Sequence, residues 1–318
     1  MDNGSPGRHN LTPSRAVRPA HVPDALPTGP FRLADARAAG LTRRQLDSAE
    51  WHRLPRDLYL HRDVTGTPSV RLAAAALVIR PDAAFSGETA AWLHGVDVRP
   101  APDAPLEVTA PRGVTFAARS GLLLPRQSLL PDDDVMTLDG RQVTTPLRTA
   151  FDLVRLRPRV DAVVALDALL HRSLVDKDEP LEYAARHAGW RGVLQVPEIV
   201  DLSDARSESP MESRTRLLIV DGALPRPDLQ YVVRDENGIF VARLDLAYPV
   251  LRIGIDYDGR VHNEDKVRIR DDRRRNRLLS VRWTPLTFAA DDYYRAGGRA
   301  ILTQVREAVT AARRAQAG

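Results

Sequence analysis

Residues 244–262 read LDLAYPVLRIGIDYDGRVH, two apolar runs joined by Tyr248-Pro249, with Asp245 in the first and Asp256 and Asp258 in the second. Carboxylates are costly to bury without compensation, so this segment admits few structures. A hairpin whose turn centres on Val250 and Leu251 sets Asp245 directly opposite Asp256. Opposite residues of an antiparallel pair share a face, with Cβ atoms roughly 4.5–5.5 Å apart. Asp258 joins that face by the two-residue period of a strand. Leu244, Leu246, Ile253 and Ile255 then point to the other face, toward a core. Like charges placed opposite one another destabilise a sheet. A divalent cation relieves the repulsion. So does an arginine, with Arg243 and Arg252 at hand, or protonation of one acid. A slip of one residue in register would separate the two acids onto opposite faces.

The flanking pattern extends the hairpin into a domain. MESRTRLLIVDGAL reads as a helix, and DLQYVV and GIFVARLDLAY as strands around the turn DENG. LRIGIDYD is a third strand, NEDKVRIRDDRRRNRLLS a helix, VRWTPLTF a fourth strand and 300–315 a closing helix, giving the order αβββαβα. Residues 201–210, DLSDARSESP, are polar and read as a linker. Ser209-Pro210-Met211-Glu212 has the form of a capping box with proline at the first helical position, which gives Glu212 a structural role. On the basic helix, Arg270, Arg274 and Arg277 follow i, i+4, i+7 spacing and share a face. Guanidinium forks suit phosphate oxygens; the bland alternative is a solvated face of Asp–Arg pairs.

Residues 31–66 show helix, Gly40, helix and extended chain. Thr42 is an N-cap whose Gln45 completes a capping box. Leu46 and Ala49 are expected inward, Arg43, Arg44 and Asp47 outward, and residues 51–60 as a wing. This is the size of a winged helix-turn-helix, whose second helix enters the major groove; an unremarkable helical hairpin carries the same pattern. Residues 67–200 mix helices and strands without a catalytic constellation. His94 and His171, near helix ends, are expected to cap or pack.

Composition narrows the chemistry. The chain contains no cysteine, which excludes disulfides, thiolate metal sites and cysteine nucleophiles. Its 8 histidines show no HxH or HExxH spacing, so any metal is a hard ion on carboxylates. A net charge of +4 is too mild to imply nucleic acid by itself; the distribution of charge carries that case. Residues 1–30, rich in Pro, Gly, Ser and Asn, read as a disordered tail and not a signal peptide. The longest apolar run, 72–79, is far short of a membrane span, and a cytoplasmic protein is expected.

The runs SPMESRTRLL, ARLDLAYP, GIDYDGRVH and RIRDDRRRNRLL resemble the PD-(D/E)XK nuclease superfamily. More narrowly, they are similar to an actinobacterial domain of unknown function related to very-short-patch repair endonucleases. The resemblance implies that Asp245 and Asp256 hold Mg²⁺ (or Mn²⁺), that Glu212 is a third carboxylate, and that His262 is functional. Asp258 stands where the superfamily has lysine, and Asp256 replaces the commoner Glu; both departures point toward weak or lost activity. GLTRRQLDSAEWHRLPRDLYLH, AFSGETAAWLHGV, LEVTAPRG and DGRQVTTPLRTAFDLV resemble AbiEi-type antitoxin-like proteins. The expected fold is α/β (α+β): tail 1–30, winged helix-turn-helix 31–66, AbiEi-like mixed region 67–200, linker 201–210 and a restriction-endonuclease-like domain 211–318. Two functions follow from the resemblances. One is a metal-dependent endonuclease acting on DNA, with Asp245, Asp256, Asp258, His262 and Glu212 at its centre and Arg43, Arg44, Arg270, Arg274 and Arg277 on the DNA. The other is a non-catalytic DNA-binding antitoxin-like regulator, with a cognate toxin as partner.

Overall fold

A computed structural model describes residues 23–98, 101, 103–113, 121–258 and 265–317, with backbone alone for 265–271 and 296. These residues form an α+β chain that divides into two compact units. The first comprises 23–79 with 103–105 and 121–123; the second is the remainder. Among the described residues no helix is long and apolar enough to cross a membrane. Most of the tail expected at 1–30, residues 1–22, lies outside the described residues.

In the first unit β1 (Phe31–Arg32) leads into α1 (Leu33–Ala38) and α2 (Arg43–Leu46), followed by β2 (Trp51–Leu54), β3 (Leu58–His61) and α3 (Pro68–Val78). The strands form an antiparallel sheet in the order β1-β3-β2. Gly40 takes φ +83°, the left-handed turn that ends α1. Thr42 caps α2: Gln45 N–H donates to its Oγ1, and Thr42 N–H donates to Gln45 Oε1 at 2.8 Å. Phe31, Ala36, Leu41, Leu46, Trp51 and Tyr59 form the core. Ala49, expected inward, is exposed, because α2 closes after one turn at Leu46. Helix α3, placed in the middle region by the sequence, clusters with this unit.

The second unit contains two sheets. Strands β4 (Ala84–Phe85), β5 (Leu106–Ala110), β6 (Leu123–Gln127), β7 (Val135–Leu138) and β8 (Arg141–Thr144) pair in the order β6-β5-β4-β8-β7. Between them lies α4 (Gly87–Leu93), and after them α5 (Pro146–Leu156), α6 (Arg159–His171), α7 (Glu179–Arg186) and α8 (Val196–Leu202). Phe151, Leu166, Leu169, Tyr183 and Ile199 fill the helical core. Next come α9 (Pro210–Asp221), β9 (Asp228–Arg234), β10 (Phe240–Tyr248), β11 (Ile253–Asp258), α10 (Asp265–Ser280), β12 (Thr284–Ala289), α11 (Ala290–Tyr294) and α12 (Arg299–Ala317). The second sheet runs β12-β11-β10-β9, with β11 and β12 parallel and the other pairs antiparallel.

Residues 201–210, expected to be a linker, are tied down at three positions. Leu202, Ser203 and Ser207 are buried. Asp167 of α6 explains why: its carboxylate accepts Asp204 N–H (2.8 Å), Ser213 Oγ–H (2.6 Å) and Arg216 Nη2–H (2.6 Å). Helix α9 also belongs to two cores, with Leu217 in the helical one and Ile219 against the second sheet.

That sheet is covered on both faces. Leu246, Tyr248, Ile253 and Ile255 pack with Phe288 and with Ile301, Val305 and Val309 of α12. Val233, Leu244, Ala247, Leu278 and Trp283 form a separate core. Leu244 and Leu246, expected on one face, therefore fall in different cores. The alternation slips at Asp245, between the pairs Leu244↔Tyr231 and Leu246↔Leu229, where Gln230 takes φ +52°. Gln230 belongs to β9, and the pairing of β9 with β10 stays in register across this point.

Candidate functional site

Strands β10 and β11 pair Tyr248 with Ile253, Ala247 with Gly254 and Leu246 with Ile255. This is the register that a turn at 250–251 imposes. At the next pair the side chains enter the ladder. Asp245 N–H donates to Asp256 Oδ1 (3.2 Å), and Tyr257 N–H donates to Asp245 Oδ2 (2.9 Å). Each carboxylate thus accepts a backbone N–H of the opposite strand, which offsets part of its desolvation.

Asp256 is buried at 6% exposure and has a second partner. Arg274 of α10 forks onto it, Nη1 at 2.8 Å from Oδ2 and Nη2 at 3.0 Å from Oδ1. Nη2 also donates to Arg243 O at 2.5 Å. Bidentate Arg–carboxylate pairs are among the strongest polar contacts available to a protein. An arginine does neutralise one acid, but it comes from the basic helix and not from Arg243 or Arg252. Arg243 instead holds Glu208 through two bonds of 2.8 Å, and Arg252 sits in the hairpin turn at φ +52°.

Glu212, also buried, faces the same region. Its Oε2 accepts Glu208 N–H and Gln230 Nε2–H, both at 2.9 Å, while its own N–H donates to the N-cap Ser209 Oγ (3.2 Å). Ser209 is therefore the N-cap, but the Glu212 carboxylate takes Glu208 N–H in place of the Ser209 N–H that a capping box requires, and it contributes charge to the acidic group. Asp245 has no arginine partner among the described residues. Burial pushes its pKa up to about 6, helped by the charges of Asp256 and Glu212 and opposed by Tyr257 N–H and Arg274.

These residues do not fit Mg²⁺ or Mn²⁺ as they are arranged. Among the described residues no group of three or more His, Asp or Glu side chains could hold a metal ion. A hard cation needs free carboxylate oxygens. Here Arg274, three backbone N–H groups and Gln230 already bond to both oxygens of Asp256 and to one oxygen each of Asp245 and Glu212. Asp258 is half-buried at the end of β11 and lines a cleft of about 100 Å³ with Asp256, Arg274, Arg275 and Thr287. His262 and the side chain of Arg270 lie outside the described residues. Arg277 is exposed, whereas Arg274, expected beside it on a phosphate-facing surface, is turned inward. Arg43 and Arg44 are exposed on α2.

Sequence reasoning missed Gln230, whose Oε1 is buried without a partner; no local signal marks it. It also missed a buried network in the middle region. Arg148, fully buried, donates from Nε to Asp152 Oδ2 (2.9 Å) and from Nη1 to Asp134 Oδ2 (2.5 Å). Tyr183 O–H donates to the same Asp134 oxygen (2.6 Å). The i, i+4 spacing of Arg148 and Asp152 was the available clue. His94 and His171 contact backbone carbonyls, at Thr144 O (2.8 Å) and Ala205 O (3.0 Å).

Residues 82–202 match the family described as AbiEi antitoxin C-terminal domain. The chain is 30% identical over 230 residues to the uncharacterized proteins MT2308 (strain CDC 1551 / Oshkosh) and Rv2248 (strain ATCC 25618 / H37Rv) of Mycobacterium tuberculosis. Each alignment covers 72% of this chain and 82% of the relative. A solved structure titled "Crystal structure of RV2827C protein from Mycobacterium tuberculosis" aligns with a TM-score of 0.39 and 15% identity, over 57% of this chain and 71% of that one. The family match falls on the middle region whose motifs resemble AbiEi-type proteins and does not extend to residues 31–66 or 211–318.

Proposed function

The chain belongs to the family of the uncharacterized mycobacterial proteins MT2308 and Rv2248, and from that premise we propose a non-catalytic, DNA-binding, antitoxin-like regulator. In this reading residues 31–66 are a winged helix that delivers α2 to the major groove, with Arg43 and Arg44 as its DNA contacts. The AbiEi-type middle region supports a cognate toxin as protein partner. The C-terminal unit is a nuclease-type fold that no longer takes its cation.

The observation that carries the non-catalytic part is the fork of Arg274 on Asp256. A guanidinium there supplies the positive charge that the acidic strands require and occupies both oxygens of one carboxylate. Asp258, in place of the superfamily's lysine, supports the same conclusion. The test pairs two assays on the full chain. Fluorescence anisotropy with duplex DNA in a metal chelator is expected to show binding that weakens with salt. Plasmid incubated with Mg²⁺ or Mn²⁺ is expected to stay supercoiled. Nicking by the wild type that disappears in Asp245→Ala would instead establish the metal-dependent endonuclease. That rival draws on the convergence of Glu212, Asp245 and Asp256.

A further inference from the structure

The AbiEi-type region contains a cleft of about 440 Å³ that the reading above does not use. Four arginines line it, Arg112, Arg126, Arg155 and Arg191, together with Glu107 and Trp190. Small-molecule sites are typically clefts of roughly 300–1,000 Å³, so the volume admits a whole ligand and not a lone ion.

The charge in the cleft is unbalanced. Glu107, the one acid among the lining residues, is paired with Arg157. Arg155, 5% exposed at its side chain, is neutralised by Asp152 (2.6 Å) and donates to Arg191 O (2.8 Å). No carboxylate forms an ion pair with Arg112, Arg126 or Arg191 among the described residues. Burial holds the pKa of Arg155 below the usual arginine value; Asp152 opposes the shift, and the neighbouring cations Arg148 and Arg126 add to it.

The rim is also held in place. Gly192 takes φ +79°, and a Cβ there would lie 1.8 Å from the Arg155 carbonyl oxygen. Only glycine permits this approach of backbone to backbone. It fastens the loop that presents Arg191 onto the end of α5. The floor beneath is the buried Arg148–Asp134–Asp152 network, with Trp190 against the guanidinium carbons of Arg148 (4.9 Å) and Arg155 (5.0 Å). A prearranged site loses less conformational freedom when a ligand arrives.

We propose that this cleft binds a phosphorylated small molecule, its phosphoryl oxygens held by Arg126, Arg191 and Arg112. Guanidinium groups offer planar pairs of donors that match phosphate oxygens. The concavity favours one enclosed molecule over the backbone of a duplex, which is met by charge spread along a surface. The site makes the regulator responsive to a phosphorylated metabolite without requiring any catalytic step.

Isothermal titration of the full chain in chelator tests this with three probes: inorganic pyrophosphate, adenosine triphosphate and a short DNA duplex. Wild type is expected to bind pyrophosphate and the nucleotide at sub-millimolar concentrations. Arg126→Gln/Arg191→Gln is expected to weaken both by at least tenfold, while substitution of the exposed Arg314 on α12, Arg314→Gln, leaves them unchanged. Neither Arg126 nor Arg191 is in an ion pair among the described residues, so the double variant is expected to melt as wild type does. Arg112→Gln provides an independent arm should it not, with the same direction expected. Absence of heat with both phosphate probes at millimolar concentration overturns the proposal. So does equal affinity in the arginine variants, or a loss confined to the duplex. DNA binding through Arg43 and Arg44 is measured separately, so either idea can fail without the other.

Discussion

The guanidinium of Arg274, on α10, lies 2.8 Å from the carboxylate of Asp256, on β11, and grips both of its oxygens. The basic helix is thus bound to the acidic strand by charge. Removing one partner of a largely buried pair costs more than the pair contributes, because the other charge is left uncompensated. Arg274→Ala is expected to destabilise the protein by about 2–3 kcal/mol, below the roughly 3–5 kcal/mol of fully buried pairs because the arginine is partly exposed. Arg274→Ala/Asp256→Asn should recover part of that loss. Urea denaturation of the two single variants and the double variant measures the coupling.

Asp245 predicts a pH dependence of opposite sign to that of an ordinary paired carboxylate. Its folded-state pKa is raised to about 6, so between the unfolded value and about 6 the native state holds the extra proton. Stability is then greatest below that window and falls as pH rises through it. The loss is of the order of 2–3 kcal/mol by linkage. Asp245→Asn keeps an oxygen for Tyr257 N–H and removes the charge. Its urea midpoint is expected to exceed that of wild type at pH 7.5 and to converge with it near pH 4.

Arg148 is the fully buried cation of the middle region, between Asp134 and Asp152. Arg148→Ala leaves Asp134 buried without its cation, while Asp152 keeps Arg155, and is expected to cost about 3–5 kcal/mol, within the range for broken buried pairs. Thermal melting followed by circular dichroism reads the change directly.

Arg43→Ala/Arg44→Ala removes two exposed charges and no packing. Stability is expected to be unchanged within about 0.5 kcal/mol. In anisotropy titrations DNA affinity should fall, and the slope of log K against log salt should decrease by about 2.

What the sequence disclosed was what neighbours along the chain determine. Thr42 with Gln45, and Ser209 before Pro210, mark helix starts, and the structure has both. The register of β10 on β11 followed from a turn at 250–251 and apolar alternation on either side. What stayed hidden depends on residues far apart in the chain. Leu244 and Leu246 fall in different cores beside Gln230 of the adjacent strand, which takes a left-handed φ. Arg274 reaches Asp256 from 18 residues away, and spacing within a helix cannot say which arginine turns inward. Residues 201–210 are polar enough to resemble a linker, yet Asp204 N–H meets Asp167, as do Ser213 and Arg216 of the following helix, and this holds the segment in place.

The dual allegiance of α9 bears on how this gene could have been assembled or dissected. Leu217 and Ile219, two positions apart, anchor different cores, and Arg216 of the same helix finds its counter-ion on α6. A fragment beginning near residue 205 would carry away a buried guanidinium without its aspartate. Natural exchange of the C-terminal portion between relatives would succeed only where the incoming sequence brings its own answer to Asp167.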